Sequence, residues 1–117
     1  MHVRMDSDVR AELHIHRVDA RCATAYLGSV PLDRPSLAVG LPSGQAAYLV
    51  VTFDTSSFLG GSRRTSTATV LTPRSAHQYA LAVRYHDSIY DVALAESDAH
   101  GGRAHRLPLR DLEECRG

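Results

Sequence analysis

Apolar and polar residues alternate with a period of two along most of this 117-residue chain. That alternation is the signature of β-strands covered on one face by a core. In Ala11–Val18, Leu13 and Ile15 alternate with Glu12, His14 and His16. Ala23–Leu32 carries Tyr26, Leu27 and Val30 before Pro31 edges or breaks it. Ser36–Leu41 sets Leu37, Val39 and Leu41 on one face. Leu41-Pro42-Ser43-Gly44 then reads as a type I turn, with proline at its second position and glycine at its fourth. Ala46–Phe53 is almost continuously apolar, as a strand central in a sandwich would be. Asp54–Arg63 reads as a loop built on Gly60-Gly61, and Arg64–Leu71 as a strand rich in β-branched threonine and valine. Gln78–Tyr85 and Ile89–Glu96 alternate cleanly and predict a hairpin through His86-Asp87-Ser88.

The two ends differ in character. Residues 1–10 (MHVRMDSDVR) are polar and charged and predict a flexible segment. Ser97–Arg106 reads as a polar, glycine-containing loop. Beyond it, Pro108 opens a piece with Leu109, Leu112 and Cys115 at helical spacing, which predicts a short helical turn, with a last strand as the competing reading. About seven short strands separated by turn signals predict an all-β fold, a single β-sandwich over residues 11–117 with Ig-like or transthyretin-like connectivity.

Composition narrows the classes. Lysine plus arginine and aspartate plus glutamate both number 13, so the formal net charge is zero, and every fixed cation is an arginine. Lysine and asparagine are absent, which points to a high-GC bacterial gene. Neutral balance argues against a nucleic-acid partner. No apolar run is long enough for a membrane helix. Arginine against carboxylate suits directional contacts with a protein partner. No cofactor is expected.

Cys22 and Cys115 lie near opposite ends of the chain with no metal-ligand spacing around either. Their parity and placement predict one long-range disulfide. The chain-entropy model assigns such a closure about 4–5 kcal/mol. A disulfide implies an oxidising compartment, periplasmic or tethered to the outer membrane through a lipid anchor upstream. Unpaired thiols would instead suit the cytoplasm.

Candidate chemistry is sparse. Glu12, His14 and His16 share one face of a strand. Two histidines at this spacing can ligate zinc or copper, with the carboxylate as a third ligand and His77 or His86 closing the site. A solvated strand face is the plainer reading. His100 and His105 fall in the polar loop. The glycine loop at Gly60-Gly61 lacks the lysine of a phosphate-binding loop. Its Phe58-Leu59 pair, followed by Arg63 and Arg64, offers a contact point for a partner. Arg84, Tyr85 and Tyr90 form a second candidate binding surface, since tyrosine and arginine dominate interface hot spots. Ser88 with His86 and Asp87 reads as turn chemistry, and Glu113-Glu114 do not face each other as an acid–base pair would.

The stretch Tyr-Leu-Gly-Ser-Val at 26–30, Val-Gly-Leu-Pro-Ser-Gly at 39–44 and the apolar strand at 46–51 resembles small extracytoplasmic β-sandwich domains of bacteria, often lipoproteins, of the PEGA type. The literal Pro-Glu-Gly-Ala signature is absent. The resemblance implies an envelope-associated binding or scaffold module and brings no catalytic residues. The leading expectation is therefore a non-catalytic binding or scaffold domain that recognises a protein partner by a sheet edge or by the Asp54–Arg63 and Ser97–Arg106 loops. Two alternatives are an immunity or inhibitor protein against a secreted enzyme, and a metal-binding enzyme built on Glu12, His14 and His16.

Overall fold

The alternating segments become strands of two stacked sheets. The computed structural model describes residues 1–57, 61–98, 100 and 102–113, with backbone alone for 56, 57 and 61–63. The strands are β1 (His2–Ser7), β2 (Arg10–Val18), β3 (Thr24–Pro31), β4 (Ser36–Ala38), β5 (Ala47–Ser57), β6 (Gly61–Leu71), β7 (His77–His86), β8 (Ile89–Asp98) and β9 (His105–Leu107). One sheet runs β4-β1-β7-β8-β9 and the other β3-β2-β5-β6. Every pair is antiparallel except β1 with β7. The fold is thus an all-β sandwich. An immunoglobulin arrangement would place the first two strands in one sheet. Here β1 and β2 lie in different sheets, which leaves the transthyretin-like connectivity of the two expected.

The core follows from the alternation, because successive side chains point to opposite faces. Ala11, Leu13 and Ile15 of β2 meet Leu49, Val51 and Phe53 of β5 on the inner face of one sheet. Val3 of β1, Leu81 and Val83 of β7 and Leu94 of β8 supply the other. Phe53 and Leu13 are fully buried. The Phe53 ring lies 5.0 Å from that of Tyr85 and 5.5 Å from that of Tyr90. Each such large side chain stabilises the fold by roughly 1.5–3 kcal/mol relative to leaving it exposed.

Four expectations need correction. Residues 1–10 are not a loose segment. Residues 2–7 are β1, hydrogen-bonded between β4 and β7, because Val3 and Met5 alternate with His2, Arg4 and Asp6 and give it an apolar face. Asp54–Arg63 is not a long loop: β5 continues to Ser57 and β6 starts at Gly61, with Ser57 opposite Gly61. The polar loop after Glu96 is shorter than expected, since β8 runs to Asp98 and β9 pairs with it from His105. The described residues form nine strands rather than about seven, because β1 and β9 join the sheet. At the C-terminus Leu112 and Glu113 lie in a 3-10 turn, and residues 114–117 lie outside the described residues. The β7–β8 hairpin is as expected. Asp87 and Ser88 both have positive φ, 54° and 66°, as a two-residue type I′ turn requires.

Candidate partner-binding edge

A sheet is open for recognition only at its edge strands, where backbone N–H and C=O groups lack a neighbour. The sheet orders make these β4, β9, β3 and β6. β4 and β9 are three residues each. Near its end β6 is capped by the C-terminal segment. The Val70 N–H donates to the Arg110 carbonyl at 3.1 Å, and the Arg110 N–H donates to Thr69 Oγ1 at 3.0 Å. β6 also carries Arg64, whose Nε lies 3.1 Å from Asp54 Oδ1. Charge and cover are the usual devices that blunt an edge.

Among the described residues, β3 has neither device. Its eight residues, TAYLGSVP, include no charge. It pairs with β2 and ends the sheet. The register slips where Ile15 faces Gly28 but His16 faces Tyr26, so Leu27 is the extra residue of a β-bulge. Tyr26 and Leu27 are 55% and 61% exposed. Beside this edge, between β3 and the segment 40–47, opens a groove of about 450 Å³. Its walls include Ile15, Val30, Leu41, Pro42 and Ala47, with Arg17 the charged group. Gly28 contributes no side chain, and a Cβ built there meets nothing within 4 Å. The inter-sheet space is therefore unfilled at this side.

On the outer face of the same sheet lie Glu12, His14 and His16. The strands do align them, but their neighbours in register are not ligands. Pro31 and Thr52 flank Glu12, Ser29 and Val50 flank His14, and Tyr26 and Tyr48 flank His16. His14 Nδ1 sits 2.7 Å from Ser29 Oγ, which also bonds the Tyr26 hydroxyl. The His16 ring lies 5.4 Å from Tyr26 and 5.8 Å from Tyr48. His77 and His86 belong to β7 in the other sheet and are engaged elsewhere, His77 Nδ1 with the Ser75 carbonyl and His86 Nε2 with Asp6 Oδ1, each at 2.8 Å. Among the described residues no three His, Cys, Asp or Glu side chains gather as a metal site would need.

The other candidate residues scatter. Tyr85 is 7% exposed and packs in the core, whereas Arg84 points outward with Nε 3.9 Å from Asp6 Oδ2. Tyr90 is 41% exposed and stacks on Tyr85, with centroids 6.3 Å apart. The expected Arg84–Tyr85–Tyr90 surface thus splits between two faces, because adjacent strand residues point opposite ways. Phe58 and Leu59 lie outside the described residues, and Arg63 is described by its backbone. Cys22 sits in a turn at φ 65°, its N–H donating to the Asp19 carbonyl at 3.0 Å. Cys115 lies outside the described residues, and with it the expected cross-link. Asp87 and Ser88 form the hairpin turn, and Glu114 is also outside the described residues.

One group escaped sequence reasoning. Glu96 continues the inward face of Val92 and Leu94 and is 6% exposed. The Tyr79 hydroxyl donates to its Oε2 at 2.5 Å and accepts the Arg74 N–H at 2.9 Å. Arg74 Nη1 and His105 Nε2 approach Oε1 at 3.6 and 3.4 Å. The Tyr79 hydrogen bond holds the Glu96 carboxyl below its ordinary value, against desolvation, with Arg74, His77 and His105 adding to the lowering. Burial, then the bond to Glu96, raises the Tyr79 phenol. No buried side-chain polar atom among the described residues lacks a partner. A closed, satisfied network of this kind ties β7, β8 and β9 together. The signal was available in the sequence as a carboxylate in phase with an apolar stripe.

No protein-family model matches the chain, and neither a curated protein nor a solved structure matches it.

Proposed function

We propose that this chain is a non-catalytic recognition module of the bacterial envelope that binds an extended segment of a protein partner along the free edge of β3. The carrying observation is an eight-residue edge strand without charge, and without cover among the described residues, beside an apolar groove. Strand addition uses those features. Main-chain hydrogen bonds to the open edge give affinity, and alternate side chains of the added strand enter the pocket below. About half of the residues of an edge strand turn their N–H and C=O outward, so β3 offers about four to a partner. The exposed Tyr26 and Leu27 supply contact area at the rim. Envelope residence is supported by the resemblance of 26–51 to extracytoplasmic sandwich domains and by the expected pairing of Cys22 with Cys115.

The test uses a library of random heptapeptides displayed on phage and selected on the intact chain. The best binders, made synthetically, are then added during amide hydrogen exchange. Slowed exchange along residues 24–31 supports strand addition. Binding that leaves those amides unchanged, or a selection yielding no binders, overturns it.

A further inference from the structure

We infer that the groove beside β3 selects a partner strand bearing, on one face, an aliphatic side chain and a carboxylate. This rests on the proposed strand addition and names its partner class. Leu49, Ile15 and Gly28 form one cross-strand row, and Ala47, Arg17 and Ala25 form another. Ile15 and Arg17 are two residues apart on β2, and the bulge at Leu27 sets their β3 partners Gly28 and Ala25 three apart, so a strand added outside β3 meets the two rows on either side of that bulge. Both rows face the groove, since Ile15, Arg17 and Ala47 all line it.

The β3 members of these rows are a glycine and an alanine, too small to fill the gap. A partner side chain in the first row crosses over Gly28, where the space is open, and reaches Ile15, Leu41 and Pro42. That environment calls for Leu, Ile or Val. A partner side chain in the second row crosses over Ala25 and meets Arg17. Arg17 is exposed, and no acidic residue is among the described residues that line the groove. A carboxylate there forms a charge-assisted, bidentate pair, and a lysine or arginine is repelled. The same charge argues against a second copy of β3 as occupant, because TAYLGSVP brings no carboxylate to either Arg17.

The experiment is an array of threonine-based heptapeptides in which two positions, two or three residues apart, are varied over all amino acids. Affinities for the intact chain are read by fluorescence anisotropy, with amide exchange of residues 24–31 on the same peptides. Aliphatic–acidic pairs are expected to bind at least tenfold tighter than aliphatic–basic pairs. Arg17→Glu is expected to reverse that charge preference while β3 protection persists. Gly40→Leu adds an apolar side chain at a residue lining the groove, where a Cβ meets nothing within 4 Å, and is expected to weaken the aliphatic preference. Circular dichroism checks that both variants remain folded. Peptides that protect β3 with no charge preference, or a preference that Arg17→Glu leaves unmoved, overturn this partner class and leave strand addition standing. If no peptide protects β3, both fall. A sedimenting dimer with β3 already protected in the absence of peptide makes a second copy the occupant and overturns the inference.

Discussion

Replacing Tyr79 with phenylalanine isolates one hydrogen-bonded group inside the sandwich. The ring of Tyr79 is 7% exposed, and phenylalanine keeps its volume, so no cavity is made. What disappears is the hydroxyl that donates to Glu96 Oε2 at 2.5 Å and accepts the Arg74 N–H at 2.9 Å. The remaining partners of Glu96, Arg74 and His105, both approach Oε1. Oε2 therefore loses the donor shown for it. A hydrogen bond to a charged group contributes about 1.5–3 kcal/mol, and an orphaned buried acceptor costs a similar amount. Tyr79→Phe is expected to destabilise the chain by about 1.5–3 kcal/mol at pH 7, a fall in Tm of roughly 5–15 °C for a domain of this size.

The same change has a pH signature. Glu96 has a lowered carboxyl pKa in the folded chain, caused first by the Tyr79 hydrogen bond. A depressed acid pKa contributes stability above its unfolded value, near the ordinary 4.5, and that stability is lost as pH falls through the folded value. Without the Tyr79 hydroxyl, desolvation opposes Arg74, His77 and His105 alone, so the folded pKa rises. The parent–variant gap should shrink as pH drops below about 4.5, because protonated Glu96 no longer needs the donor. Urea unfolding from pH 3 to 7 on the parent, Tyr79→Phe, Glu96→Gln and the double variant measures both effects. A Tyr79→Phe cost under 0.5 kcal/mol at pH 7 refutes the reasoning. So does a cost that is unchanged in the Glu96→Gln background, since the coupling would then be absent.

Other outcomes follow from particular contacts. Phe53→Ala removes a fully buried ring packed on Tyr85 and Tyr90 and should cost about 3–5 kcal/mol in urea unfolding. Ser88→Gly relieves a positive φ of 66° in the hairpin turn and should leave stability unchanged or raise it by up to about 1 kcal/mol; a loss would contradict the type I′ geometry. Leu27→Lys adds charge at an exposed bulge position on the free edge and should change unfolding free energy by less than about 0.5 kcal/mol while weakening any peptide that protects β3. Intact mass before and after alkylation in denaturant, with and without reduction, should show Cys22 and Cys115 paired in protein recovered from an oxidising compartment; two alkylated thiols without reduction would remove the compartment argument.

Strand positions were legible because a half-buried strand writes itself as alternation, as β2, β7 and β8 do, and a central strand as a continuous apolar run, as β5 does. The misses share a cause. β1 alternates Val3 and Met5 with polar residues, yet its charge density reads as a tail. What recruits it is the pairing with β4 and β7 on its two sides, which no local pattern announces. The arms of the β5–β6 hairpin continue past Phe53 through Asp54, Thr55 and Ser56 because backbone bonding to β6 does not need apolar side chains. His14 and His16 were placed on one face correctly. Whether a third ligand joins them depends on which residues arrive in register, and those are Ser29, Val50, Tyr26 and Tyr48.

The edge proposed for binding was hidden for a different reason. That TAYLGSVP carries no charge is visible in the sequence, but a strand without charge is ordinary in the middle of a sheet and exceptional at its margin. Two connections decide which applies. The inner side of β2 is taken by β5, so β3 pairs on the outer side, and residues 32–35 then carry the chain across to β4 in the opposite sheet. Among the described residues no later strand returns to cover β3. Gly28 changes meaning in the same way. Within a central strand it would face a neighbour's side chain across the row; at this margin it leaves the inter-sheet space open beside Arg17. An uncharged segment, a side chain of no volume and the cation of Arg17 combine into the proposed recognition feature only once the sheet order puts them on the same edge.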